Sequence, residues 1–261
     1  MDLSLQGKTA VIGGSSQGLG LAIANELALL GANCILIART EEKLQKALNG
    51  LARSNSQIHS FKVADFFDNN TVGKVINEIV LQQPVHILIN NSGGPPGGIV
   101  SEAKEEEFIK AFNQHLINNH ILATAVVPGM KKEGYGRIIN VISTSVKIPL
   151  PYLGVSGTIR AAVASWAKLL SHDLGQFNIT VNNILPGYTE TERLDSLIDS
   201  TAKKKNITKE KAAEEMASDI PMKRFGKPSE FAAVAAFLAS PAASYVNGAS
   251  IPVDGGRTGA I

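Results

Sequence analysis

The chain carries a single cysteine, Cys34, and a single tryptophan among 261 residues. One cysteine excludes an intrachain disulfide, and with it the class of small secreted scaffolds stapled by such bonds. Cys34 opens the apolar run Cys34-Ile35-Leu36-Ile37-Ala38, where a thiol is expected to be buried and inert. An excess of charge of one sign is also lacking. Lys and Arg number 25 against 23 Asp and Glu, a net of +2, and charged residues make up only 18% of the chain. A nucleic-acid surface needs a basic excess, and this balance argues against one. No apolar stretch approaches the roughly 20 residues of a membrane span. The start, Met1-Asp2-Leu3-Ser4-Leu5-Gln6-Gly7-Lys8, has no charged segment followed by an apolar one, so no signal peptide is read there. A cytoplasmic protein, with neither nucleic acid nor membrane as partner, is the expectation. His59, His86, His120 and His172 form no ligand cluster with a cysteine or a carboxylate pair, so no metal is expected.

What is present is a globular composition, 44% hydrophobic, in a chain long enough to bury a large core. Short unbroken runs rich in Val and Ile lie at 9–12, 34–38, 60–63, 85–90, 137–142, 180–185 and 250–253. Runs of this kind read as strands buried on both faces of a parallel sheet. Helical patterns fall between them, near 18–30, 41–53, 68–82, 102–130, 152–175 and 229–239. The alternation predicts an α/β chain: one doubly wound Rossmann domain spanning 1–261, with a single seven-stranded parallel sheet and helices on both faces. The segment 188–224 departs from the pattern. It is charged, includes Lys203-Lys204-Lys205 and holds no strand candidate. A loop of such length is usually functional, and a substrate lid is expected there. Its lysine run reads as a solvated helix face. Leu194, Leu197, Ile198 and Met216 are the candidates for its pocket wall.

The first strand leads into Gly13-Gly14-Ser15-Ser16-Gln17-Gly18-Leu19-Gly20 and then into a helix. A glycine-rich turn at that place lets the backbone approach a pyrophosphate at the helix N-terminus. The spacing Gly14-x3-Gly18-x-Gly20 differs from the commoner G-x-G-x-x-G. At the end of the second strand, where an acid would hold the ribose hydroxyls of NAD, stands Arg39. A guanidinium there suits the 2′-phosphate of NADP; the bland alternative is a surface arginine at a strand end.

These residues, with others downstream, resemble the short-chain dehydrogenase/reductase family, and especially its 3-oxoacyl-acyl-carrier-protein reductase branch. The resemblance covers nearly the whole chain. Gly14-Ser15-Ser16-Gln17-Gly18-Leu19-Gly20 looks like the family's TGxxxGxG turn, with Gly13 in place of the threonine. Asp65 matches the adenine-contacting aspartate, and Asn90-Asn91-Ser92-Gly93 is similar to NNAG. Pro186-Gly187 with Thr191 matches the loop beside the nicotinamide. Val253-Asp254-Gly255-Gly256 matches the VDGG that ends the last strand. The resemblance implies NADP binding by Gly14, Ser16, Gln17, Gly18, Leu19, Gly20, Arg39, Asp65, Asn91, Ser92, Gly93, Arg160, Pro186 and Gly187, with NAD as the second possibility.

The family's catalytic tetrad is Asn, Ser, Tyr and Lys, and the match to it is poor. Ser143 takes the serine position at the end of Gly136-Arg137-Ile138-Ile139-Asn140-Val141-Ile142. Counting onward without gaps places Ser156 at the tyrosine and Arg160 at the lysine; counting back places His115 at the asparagine. The family's tyrosine delivers a proton to the oxygen of the carbonyl that receives the hydride. Serine is a poorer acid and shorter by a ring, while Arg160 keeps the charge but releases no proton near neutral pH. Ser156 and Arg160 still share a helix face. Tyr152, Tyr188 and His115 are the candidate replacement donors, each with a structural alternative as a packed aromatic, a lid contact or a core histidine. The function implied is an NADP-dependent oxidoreductase working on a carbonyl/alcohol pair, with a 3-oxoacyl thioester as one substrate class. The rivals are a dinucleotide-binding protein that has lost hydride transfer, and a non-redox reaction such as elimination on the same scaffold. The family's tetramers imply a homo-oligomer built on the helices near 102–130 and 152–175, the second of which shows Trp166, Leu169 and Leu170.

Overall fold

A computed structural model describes residues 1–53 and 57–260. Its seven strands are β1 (Thr9–Gly13), β2 (Asn33–Ala38), β3 (Ser60–Val63), β4 (Ile87–Asn90), β5 (Gly136–Val141), β6 (Ile179–Pro186) and β7 (Ser250–Val253). All pair in parallel, in the order β3-β2-β1-β4-β5-β6-β7. The helices are α1 (Gly18–Leu29), α2 (Glu41–Gly50), α3 (Asn69–Gln82), α4 (Glu105–Phe112), α5 (Asn118–Glu133), α6 (Gly154–Leu174), α7 (Glu192–Lys205), α8 (Lys209–Ser218) and α9 (Pro228–Ala239). The chain winds outward from β1 to β3, then crosses back to lay β4 on the other side of β1. That reversal opens a crevice at the C-terminal ends of β1 and β4.

Burial on both faces explains why the strands read as unbroken apolar runs. Alternate residues serve alternate layers, as the two-residue period of a strand requires. Ala10, Ile12, Ile87 and Ile89 pack with Ile23, Leu27, Leu44 and Phe231 beneath α1, α2 and α9. Val11, Leu88 and Ile138 pack with Val72, Ile76, Leu122 and Ala167 beneath α3, α5 and α6. Cys34 lies in the first layer with its thiol buried and pushed up to about 12, away from thiolate chemistry.

Beneath the crevice a row of polar side chains crosses four strands in register. Asn90 Nδ2 donates to Asn140 Oδ1 at 2.8 Å, Asn140 Nδ2 to Asn183 Oδ1 at 2.9 Å, and Asn183 Nδ2 to Ser250 Oγ at 3.0 Å. Each pair sits on directly opposed residues of neighbouring strands.

Two expectations need correction. The single helix expected over 102–130 is broken: α4 and α5 are joined through a π-turn, Asn113–Ile117. The segment 188–224 is not a long loop but carries α7 and α8. Asn206 ends α7 with a φ of 52°, and the Thr208 hydroxyl caps α8 by accepting from the Lys211 N–H. The lysine run forms the last turn of α7, at the negative end of its dipole. Only Leu194, Ala202, Ala212 and Met216 are buried in these two helices, too few to stand out as an apolar stripe. Among the described residues no helix is long and apolar enough to cross a membrane.

Candidate active site

A cavity of about 1030 Å³ occupies the crevice and continues over β5 and β6 toward α7. At its floor is the glycine turn. Gly14 and Gly18 have φ values of +55° and +58°, the left-handed region that favours glycine. Asn91 Nδ2 donates to the carbonyls of Gly13 and Gly14 at 3.1 and 3.2 Å, fixing the turn. Gly13 replaces the family threonine for a local reason. A Cβ there would stand 2.6 Å from the Asn91 carbonyl oxygen and 2.9 Å from the Phe66 ring. Among the described residues no side chain caps α1, so its first N–H groups remain for a ligand.

Of the residues expected to hold the cofactor, Gly14, Ser16, Gln17, Gly18, Leu19, Arg39, Asp65, Asn91, Ser92, Gly93, Arg160, Pro186 and Gly187 line this cavity. Gly20 does not; it packs against the Gly14 carbonyl, where a Cβ would clash. Arg39 is exposed at the rim, beside Lys43, whose Nζ donates to Gln17 Oε1 at 2.7 Å. Gln17 Nε2 donates in turn to Glu192 Oε2 at 2.7 Å, tying the turn to the start of α7.

Toward β5 the cavity is lined by Ser143, Ser156, Arg160 and Tyr188. Ser143 Oγ accepts from the Ser145 N–H at 3.1 Å. Arg160 is one helical turn beyond Ser156, and its Nη1 donates to the Val141 carbonyl at 3.1 Å. Burial first, and then the charge of Arg193, lower its pKa to about 10, so it stays charged at neutral pH. The Tyr188 hydroxyl accepts from Arg257 Nη2 at 3.1 Å, and the Arg257 guanidinium lies 4.3 Å above the ring. Burial and a hydrogen bond with Tyr152 outweigh that cation and push the phenol up to about 12.

The other two donor candidates lie elsewhere. Tyr152 is outside the cavity wall and 41% exposed. His115 is buried behind Ser92, its Nδ1 3.1 Å from Ser92 Oγ and its Nε2 without a partner among the described residues. Burial, reinforced by Arg160, lowers its pKa to about 3, so it is neutral at pH 7. The adjacent Gln114 faces the cavity instead, with Nε2 donating to the Gly93 carbonyl at 2.9 Å. The π-turn that carries both residues changes the face each presents, which ungapped counting could not anticipate. Of the pocket-wall candidates Leu194 and Leu197 line the cavity, whereas Ile198 and Met216 do not. Lys43, Gly94, Pro95, Gln114, Leu153 and Arg193 line it without having been singled out. Only Arg193, two residues past Thr191, had a sequence signal, as a cation beside a matched loop. Among the described residues no group of three or more His, Cys, Asp or Glu side chains could hold a metal.

A cleft so placed, floored by a glycine turn and an uncapped helix, defines a dinucleotide-binding α/β protein. A sequence profile described as enoyl-(acyl carrier protein) reductase matches residues 14–258, and the chain belongs to the short-chain dehydrogenase/reductase family of oxidoreductases. It is 32% identical to the NADPH-dependent reductase BacG of Bacillus subtilis over 256 residues, covering 97% of this chain and 99% of that protein. It is 33% identical to the 3-oxoacyl-[acyl-carrier-protein] reductase FabG of Pseudomonas aeruginosa over 261 residues, covering 97% and 98%. Among solved structures, the L-sorbose reductase of Gluconobacter frateurii, complexed with NADPH and L-sorbose, superposes with a TM-score of 0.93 at 31% identity over the whole of both chains.

Proposed function

We propose that this chain is an NADPH-dependent reductase that converts a carbonyl compound into an alcohol. The observation that carries this is the continuity of one cavity from Arg39 and the glycine turn to Ser143, Ser156 and Arg160. The residues fit the dinucleotide. Beyond the uncapped start of α1, nothing lies within 4 Å of where a Cβ on Gly93 would stand, so the backbone there is open to a ligand. Gly14 through Leu19 would hold the pyrophosphate, Arg39 the 2′-phosphate, Asp65 the adenine, and Pro186-Gly187 with Arg160 the nicotinamide riboside. When bound, the cofactor supplies a hydride.

Everything else falls to this chain's own side chains. The Ser143 and Ser156 hydroxyls donate hydrogen bonds to the carbonyl oxygen, and Arg160 stabilises the negative charge that develops on it. Tyr188 delivers the proton to that oxygen. It is the one donor candidate that lines the cavity, and the part-exposed Tyr152 is near enough to help raise its pKa. A raised pKa weakens the phenol as an acid, yet it remains stronger than a serine hydroxyl. Helices α7 and α8 form the lid, latched through the Lys43–Gln17–Glu192 contacts. A cytoplasmic homotetramer completes the proposal, with α5 and α6 as the contact; Leu169 on α6 is 66% exposed.

The test is fluorescence titration with NADPH and NADH, followed by absorbance assays with ketones and 3-oxoacyl thioesters. NADPH should bind more tightly and be consumed with a ketone, and Arg39→Asp should invert the nucleotide preference. Equal binding of the two nucleotides would reduce Arg39 to a surface residue. Binding without turnover of any carbonyl would leave a dinucleotide-holding protein.

A further inference from the structure

Two cations meet on the cavity wall beyond the β4 turn. Arg160 Nη2 lies 3.3 Å from where a Cβ on Gly94 would stand. Arg193, in the first turn of α7, donates from Nη2 to the carbonyl of Pro95, the next residue, at 3.4 Å. Guanidiniums from α6 and α7 therefore approach the same short stretch of backbone, and both line the cavity. Among the described residues no carboxylate is ion-paired to either. Of the acids in the first turn of α7, Glu192 is engaged elsewhere, accepting from Gln17, and Asp195 is not ion-paired to either arginine among the described residues. Each guanidinium has five N–H donors, and each uses one on a backbone carbonyl. Burial is the main cause of the lowered pKa of Arg160, and the charge of Arg193 adds to it. An oxyanion between them would relieve their repulsion and take up the free donors in charge-assisted hydrogen bonds.

We propose that Arg160 and Arg193 form an oxyanion subsite for the substrate, so that the carbonyl compound taken by this chain carries a carboxylate or phosphate group of its own. The proposal rests on the reductase assignment above. The phosphates of the dinucleotide have other places on this chain, at the start of α1 and at Arg39, so Arg193 is left for the second ligand together with those Arg160 donors that do not face the nicotinamide riboside. Arg193 belongs to the proposed lid, so an anionic substrate would also draw α7 toward α6.

The experiment uses matched pairs: pyruvate against pyruvamide, levulinate against levulinamide, and dihydroxyacetone phosphate against dihydroxyacetone. Binding to the full chain is measured by calorimetry with and without NADPH, beside kcat and KM. At least one anion should bind roughly 10- to 100-fold more tightly than its neutral partner. Arg193→Gln should erase that preference through KM, and Arg193→Lys should recover part of it, with NADPH affinity by fluorescence unchanged. Preference for the carboxylates over the phosphate would name an oxo acid, and the reverse a phosphorylated ketone. No preference for any anion overturns the subsite. So does an Arg193→Gln protein that keeps the preference, or that loses NADPH affinity while the preference persists. Binding of an anion that depends on Arg193 but is never followed by turnover would uphold the subsite and refute the reductase assignment instead.

Discussion

Tyr188 and His115 show how differently two candidate acids fare in one protein. Removing the Tyr188 hydroxyl as Tyr188→Phe should lower kcat by ~10²–10⁴, the range for loss of a general acid, while NADPH affinity by fluorescence stays constant. Ser156→Ala removes one hydrogen bond and should cost about tenfold or less. Steady-state kinetics of the two variants side by side decide the matter, and a fully active Tyr188→Phe protein sinks the donor assignment. His115 matters through stability. Its pKa falls from an ordinary 6.5 to about 3 on folding. Between those values the unfolded chain binds a proton that the folded chain refuses, so stability rises with pH across the window and is lost as pH falls from 6.5 toward 3. Above the window the residue contributes no pH dependence. The slope from this one group is at most about 1.4 kcal/mol per pH unit. His86, lowered mainly by burial, acts with the same sign. Calorimetric Tm should be flat from about pH 7 to 8 and decline below it, and His115→Asn should decline less steeply. Parallel curves for the two proteins would contradict this.

At the scale of elements, the phosphate turn is fitted to its neighbours more tightly than a motif conveys. Restoring the family residue as Gly13→Thr would force a Cβ against the Asn91 carbonyl and Phe66. The expected result is a loss of about 1–3 kcal/mol, the usual cost of overpacking, with weakened nucleotide binding. Denaturant melts check it, and an unchanged midpoint would show that the turn yields. The glycine turn and the strands were legible because they depend on local chemistry: glycines where φ is positive, and Val and Ile where both faces are covered. Arg39, Ser143, Ser156 and Arg160 followed from position along those strands and their helix, and they share one cavity. The π-turn was not legible, since a single widened turn leaves no periodic trace in Asn113–Ile117, and it puts Gln114 rather than His115 on the cavity. Helices α7 and α8 were hidden by how little apolar surface they bury. The convergence of Arg160 and Arg193 on the Gly94–Pro95 backbone depends on tertiary structure, which no local pattern encodes.

For the molecule as a whole, an exposed leucine on α6 and the half-buried Trp166 beside it leave apolar surface on the outside of the sheet. Light scattering on the eluted protein should give the mass of a tetramer, and Leu169→Glu should shift it to smaller species; a monomer mass that does not vary with concentration refutes the assembly. The row of amides under the cleft has a direction: each donates toward the next strand, and the last acceptor is the Ser250 hydroxyl, 67 residues after Asn183. A ribosome releases that acceptor after β1 to β6 have already emerged. The nascent chain can form most of the sheet while the final amide of the row still lacks its partner. Docking of β7 then supplies the hydroxyl that completes the row, after the six strands that precede it in the chain.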